Sequence, residues 1–541
     1  MPLRSQCLPF SQIPHTSQLF KDFLSWTPEV RKFYSRSPQI RATQIKEWLA
    51  GQISSLQYDP MRRSRVADLL ERQNRAWGAS GKTIENIEKF RGGAAAMVTG
   101  QQVGLFGGPL FAIFKALTAI RLAEEAESAG FKCVPVFWLA TTDHDLEEVN
   151  QVQVPGAEAS LQKFSARVSA VKDAPVGRIV LGPEIEAALQ AMAENLGESE
   201  AIQLLRESYG RKETFGSAFG KYLLRLFGEQ GVIVLDAYDA EVQKVALPVY
   251  RAAAERSGEL NAALQERGRE LERAGYHQQV KVTSSSSLLF MVRDGARVPV
   301  HIPEKDFSIA GENISQEELL SQIESAPEKF NANVLLRPVV QDYVLPTVAY
   351  VGGSAEVAYF AQAEVVYEAI LGKVTPIFPR FSATIVEPKQ QTLMQKYGVG
   401  LTDVFQGSES VREKLAKHTL PEELQAAFEQ GEASVRRSIA RIQESLTRLD
   451  KTLIEAAENA GAKIQHQLEQ LRARAARAEL RQQEVVGRHA ELLSNTLYPN
   501  KVLQEREIAG VYFLARHGNG IVGDLLKAIN VECVDHQIVS L

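Results

Sequence analysis

Cysteine is scarce: the chain has three in 541 residues, at positions 7, 133 and 533. Thiols so far apart argue against a disulfide framework and against a cysteine-built zinc site. Long apolar runs are missing too. The longest, Cys133 to Ala140, covers eight residues, well short of the roughly 20 that a membrane helix needs. The N-terminal MPLRSQCLPFSQIPHT has no apolar centre of the kind a secretory signal carries. Charge of one sign is absent as well. Sixty-one basic and 66 acidic residues leave −5, which gives no electrostatic footprint for nucleic acid or an anionic membrane. These absences predict a cytoplasmic protein with neither nucleic-acid nor membrane partners.

What is present is ordinary globular material, 45% hydrophobic and 23% charged, enough to bury a sizeable core. At roughly 150 residues per domain the length suggests three or four units, or one large α/β domain with insertions. One stretch stands apart. Residues 422–498 contain no proline and two aromatics, Phe428 and Tyr498. Apolar residues recur there in steps of three and four, at Ile439, Ile442, Leu446, Leu449, Leu453, Ala456 and Ala460. This a/d seam predicts a long coiled coil, with two helices packed on the core as the alternative. Asp450 is placed to cap a second helix, so both a rod and a hairpin are open. Such a seam needs a partner, within the chain or in a second copy.

Before residue 385 short apolar runs alternate with helical patterns, which reads as α/β. AAAMVT (94–99) reads as a buried strand, GQQVGLFGG (100–108) as a glycine-rich loop, and Pro109 to about Ser128 as a buried helix. CVPVFWLA (133–140) is the next strand. A β-loop-α-β unit this short implies parallel strands joined by a right-handed crossover. The loops after both strands then open at the same sheet edge, where open α/β sheets bind ligands. GQQVGLFGG and TTDHDLEE (141–148) are therefore expected to face one another across a crevice. LPTVAYVGG (345–353), SAEVAYFAQAEVVYEAIL (354–371) and VTPIFPR (374–380) read as a second strand-helix-strand unit, and GVIVLDAYD (231–239) as a further strand. The expected organisation is a parallel-sheet core over 1–385 with insertions near 151–225 and 255–330, a helical coiled-coil domain over 386–498, and a segment 499–541 returning to the core.

The glycine loop is neither a P-loop nor a dinucleotide fingerprint. Its glycines, Gly100, Gly104, Gly107 and Gly108, either present backbone amides to an anion at a helix N-terminus or serve only the turn. Gln101 and Gln102 add side-chain donors. Lys115, about 9 Å along the helix from Pro109, points to the crevice or to solvent. Asp143-His144-Asp145 is the densest titratable cluster. It suits a general base held by a carboxylate, a metal site, or a capped helix start. No further histidine-acid motif completes a metal site. Arg337, Gln341, Tyr350, Glu356, Tyr359 and Arg380 fall near strand ends of the second unit and as a set line its side of the crevice. Cys133 reads as a small core residue.

TGQQVGLFGGP, VPVFWLATTDHDLEEVN, LLRPVVQD, LPTVAYVGGSAEVAYF, PIFPR and LYPNKVLQER occur in that order. With them the chain resembles the cysteine-adding enzymes (cysteine ligases) of bacillithiol biosynthesis. The resemblance implies a Rossmann-like core with connecting insertions, akin to class I synthetase-type folds, and a homodimer formed through the coiled coil. It implies the joining of cysteine to the amine of glucosaminyl-malate through an activated carboxyl. ATP or another nucleotide would lie on the glycine loop (Gly100, Gln101, Gln102, Gly104, Gly107, Gly108). In that frame Lys115 steadies phosphate charge, His144 oriented by Asp143 or Asp145 is the base, and Arg380 holds the malate carboxylate. Gln341, Tyr350 and Glu356 line the substrate side. Two rivals stay open: a metal-dependent hydrolase built on the Asp-His-Asp cluster, and a non-catalytic coiled-coil scaffold.

Overall fold

The computed structural model describes residues 3–39, 44–156, 160–302, 306–417, 421–480 and 484–541. The chain divides into two compact units. The first is Met1–Val154, Gln162–Thr384 and Glu505–Val539; the second is Pro155–Leu161, Ile385–Gln504 and Ser540–Leu541.

The first unit is built on five strands: β1 Ala95–Gln101, β2 Cys133–Leu139, β3 Ile233–Asp236, β4 Thr347–Gly352 and β5 Ile377–Pro379. They lie in the order β5-β4-β1-β2-β3, and every neighbouring pair is parallel. Small residues bring the layers together. Ala95 and Met97 of β1 pack with Ala119, Ala123 and Ala126 of the helix α1, Phe111–Ser128, over Ala349 and Val351 of β4. α1 begins two residues after Pro109, and the Leu110 amide, which has no acceptor within the helix, donates to the Ile508 carbonyl at 2.9 Å. The free edge of the sheet is closed by side chains: Asn74 bonds both the amide and the carbonyl of Val234 in β3, which removes an unpaired edge.

Chain order runs outward from β1 to β2 and β3, then returns to β4 and β5 on the other side. The reversal between β1 and β4 is the switch point at which open α/β sheets bind ligands. α2, Ser354–Leu371, follows β4 directly. Between β3 and β4 the chain adds helices and an antiparallel sheet that includes Ser286–Arg293, Ala296–His301 and Phe330–Ala332.

One expectation is overturned here. Cys7 and Cys533 form a disulfide across 526 residues. Strands Arg4–Leu8 and His536–Ser540 are neighbours in one small sheet, so remote sequence positions become adjacent. Cys133 is a buried free thiol, and burial pushes it up to about 12.

In the second unit, α3 (Glu422–Leu449) and α4 (Ile454–Leu480) fold as a hairpin about Asp450, whose carboxylate accepts from the Thr452 amide at 2.9 Å. The predicted seam does not run through. A 3-10 turn at Lys451–Leu453 breaks the helical phase. In α4 the buried positions are Ala457, Gly461 and Ala476, with Gly461 against Ile439, whereas Ala456, Ala460 and Ile464 are exposed. No helix among the described residues is long and apolar enough to cross a membrane.

Candidate active site at the strand carboxyl ends

A cavity of about 320 Å³ opens at the carboxyl ends of β1, β2, β4 and β5. β1 contributes Gly100 and Gln101, and the residue after it is Gln102. A Cβ on Gly100 would lie 3.0 Å from the Trp138 carbonyl and 3.5 Å from the Tyr350 hydroxyl, so a side chain there would crowd the cavity floor.

The charged groups of the inner wall are all hydrogen-bonded within the protein. Lys115 reaches back from α1 and is 4% exposed. Its Nζ donates to the Gly100 carbonyl at 2.8 Å, to Gln101 Oε1 at 2.8 Å and to Glu356 Oε2 at 2.5 Å. Burial lowers the Lys115 ammonium to about 8, against the pull of the Glu356 carboxylate. Glu356 sits in the first turn of α2. It also accepts from the Gly353 amide at 2.7 Å and from the Tyr350 hydroxyl at 2.5 Å. Arg337 donates to Tyr359 Oη at 2.6 Å and to Gln341 Oε1 at 3.0 Å. Arg380 donates to Glu505 Oε1 at 2.6 Å and to the Phe381 carbonyl at 2.9 Å.

The outer rim is differently built. Gln102 Nε2 bridges Asp143 Oδ2 at 2.6 Å and Glu148 Oε2 at 2.9 Å, so the loops after β1 and β2 do meet. Asp143 Oδ1 accepts from the His144 backbone amide at 2.7 Å. Arg297, from the antiparallel sheet, donates from Nη1 to His144 Nδ1 at 3.1 Å. Arg506 also lines the cavity, with its guanidinium 5.9 Å from the Phe111 ring centroid. Among the described residues it makes no ion pair, and burial together with Arg380 lowers its pKa. Beyond Arg297, Asn333 and Val334 lies a second cavity of about 320 Å³, reached by Lys281 and His301.

Several expected site residues sit elsewhere. Gly104, Gly107 and Gly108 are buried and do not line the cavity. Tyr209 plugs their loop: its hydroxyl accepts from the Gly107 amide and donates to the Gly104 carbonyl, both at 2.8 Å. Gly107 has φ of 85°, and a Cβ there would meet Tyr222 at 2.5 Å. The glycines therefore serve the turn, and the anion cradle is not formed. Asp145 is exposed and caps the short helix Leu146–Val149 through the Glu148 amide at 3.1 Å. Gln341 is fully buried behind Arg337. His144, expected as the base, is not among the residues that line the cavity, and neither aspartate orients it, since Asp143 Oδ1 is 3.6 Å from Nδ1. Among the described residues no three metal-ligating side chains converge, and the Arg297 guanidinium stands 3.9 Å from Asp143. Arg380 is already neutralised by Glu505. Arg297 and Arg506 were not singled out from sequence. Arg506 ends the LYPNKVLQER motif, but Arg297 has no local signal.

Residues 3–381 match the family described as the N-terminal Rossmann-like domain of bacillithiol biosynthesis BshC, and residues 383–541 match its C-terminal coiled-coil domain. The chain belongs to the BshC family. A protein from Koribacter versatilis named "Putative cysteine ligase BshC" is 46% identical over 535 residues, 99% of either chain. Proteins of the same name from Solibacter usitatus and Salinibacter ruber are 34% and 32% identical. They cover 98% and 89% of this chain and 99% and 89% of their own. The fold of this BshC family member is thus a Rossmann-like parallel sheet with insertions plus a helical coiled-coil domain.

Proposed function

We propose that the cavity is the active centre of a cytoplasmic cysteine ligase of bacillithiol biosynthesis, which joins the cysteine carboxyl to the amine of glucosaminyl-malate as an amide. The observation that carries this reading is the cavity's lining at the switch point. Lys115, Arg297, Arg337, Arg380 and Arg506 line it with the carboxylates Asp143, Glu148 and Glu356; with Arg380 neutralised by Glu505, four cations against three carboxylates leave the lining net positive, which suits an anionic substrate. The full-length likeness to proteins named cysteine ligases supports the substrate class.

A free carboxylate is a poor electrophile. A nucleoside triphosphate, when bound, would supply the activating group, and the residue that would hold its charge is Arg337 rather than the buried loop Gly104–Gly108. Lys115 has all three N–H groups engaged, so it fixes the floor and contributes charge without leaving Glu356. As the C–N bond forms, the bond from the acyl carbon to the oxygen of the activating phosphoryl or nucleotidyl group breaks and that group leaves with the electron pair; the amine loses a proton, and Asp143 and Glu148 are the rim carboxylates available to take it. The second unit supports a homodimer: Ile442, Leu449, Ile464 and Leu471 are large apolar side chains left exposed on the hairpin.

The deciding experiment incubates the full chain with cysteine, glucosaminyl-malate and ATP and reads the conjugate by mass spectrometry. The expected product is the condensed amide, formed only with ATP present. No conjugate defeats the ligase reading; equal conjugate without ATP removes the nucleotide from it.

A further inference from the structure

We propose that Arg297 holds His144 as the Nε2–H tautomer, so that the imidazole enters the reaction as a hydrogen-bond donor and not as the proton acceptor. The role in the reaction rests on the ligase reading above; the tautomer does not.

A guanidinium has five N–H donors and no acceptor. Its Nη1 lies 3.1 Å from His144 Nδ1, so Nδ1 must carry the lone pair. In a neutral imidazole the proton is then on Nε2. Arg297 is held so that it cannot turn away. Nε donates to Asn331 Oδ1 at 2.7 Å, Nη2 to the Ala332 carbonyl at 2.8 Å, and the guanidinium lies 3.8 Å from the Phe290 ring centroid. Its backbone amide is fixed by the Asp173 carbonyl at 2.8 Å. Burial lowers Arg297 to about 10, with Asp143 opposing, which leaves it charged at neutral pH.

Asp143 does not compete for Nδ1, being 3.6 Å away and bonded to the His144 backbone amide. Among the described residues Nε2 makes no hydrogen bond, and the side chain is 37% exposed beside the cavity-lining Asp143. His144 does not itself line the cavity but is next to Asp143, which does, and an Nε2–H with no other partner there suits the negative charge that develops on the carbonyl oxygen of the attacked acyl group. The proton released by the amine then goes to the Asp143 carboxylate. Arg297 is a positioning residue in this scheme.

The test labels the full chain with ¹⁵N-histidine and reads the tautomer by NMR. The signal of His144 among the nine histidines is identified by its loss in His144→Gln. An Nε2–H ring in the wild type, which becomes a mixture in Arg297→Met, is expected; an Nδ1–H ring in the wild type overturns the proposal. Turnover gives the second arm. A glutamine amide can place an N–H near the Nε2 position but cannot accept a proton as a base. His144→Gln should retain activity within about tenfold, while His144→Ala loses about 100-fold or more. If both variants are equally inactive, the donor role fails. A wild-type chain that makes no conjugate counts against the ligase reading alone, because the tautomer is read without turnover.

Discussion

The two sides of the cavity are constructed on opposite principles. On the inner wall every charged group has its partners: Lys115 with three acceptors, Glu356 with Lys115, Tyr350 and Gly353, Arg380 with Glu505. On the rim the groups are only partly engaged: Arg506 without an ion pair among the described residues, and His144 with a bond at one ring nitrogen. Buried charges must be compensated within the protein, whereas groups that act on a substrate must keep capacity in reserve. The inner wall therefore holds the fold at the switch point, and the rim meets the substrate.

The comparison breaks first at Glu356. Glu356→Ala leaves the Lys115 ammonium buried without its counter-charge, and is expected to cost about 3–5 kcal/mol in urea unfolding. A loss below about 1 kcal/mol would mean that the inner wall is not held by this pair.

Lys115 also sets a pH dependence. Its folded value of about 8 lies below its ordinary 10.5, so between these values the unfolded chain binds the proton and the folded chain does not. Stability from this group therefore rises from pH 8 to 10.5, by about 3 kcal/mol over the window. Unfolding of the wild type relative to Lys115→Met across that range checks the sign; a flat difference contradicts it.

The smallest expected change is on the rim. Arg506→Ala should raise the KM for glucosaminyl-malate about tenfold with kcat unchanged, as for loss of one charge-assisted contact made equally in ground and transition states. Its unfolding midpoint should stay near that of the wild type. A stability loss as large as that of Glu356→Ala would erase the distinction between wall and rim.

Much of the core was legible in the chain order of the residues. The β-loop-α-β pattern after residue 94 locates the edge at which Gln102 and Asp143 meet, and the helix read over 354–371 after the glycine turn is α2. What stayed hidden depends on remote segments. Tyr209 and Tyr222 come from the first insertion and turn the glycine loop from an anion cradle into a packed turn. Arg297 comes from the second insertion, and nothing in its neighbours marks its reach to His144. The Cys7–Cys533 link required knowing that the two ends share a sheet. The coiled-coil domain was correct in kind, but the predicted seam was not: Ile442 and Leu449 are already exposed in α3, and a short turn at Lys451–Leu453 breaks the period before α4.

The most direct test of the account is a crystal structure of the full chain with glucosaminyl-malate bound. The account predicts the ligand in the switch-point cavity, its malate carboxylates on Arg506 and its amine turned to Asp143. Ligand density confined to the second cavity, beside Lys281 and His301, with the switch-point cavity empty, would contradict it.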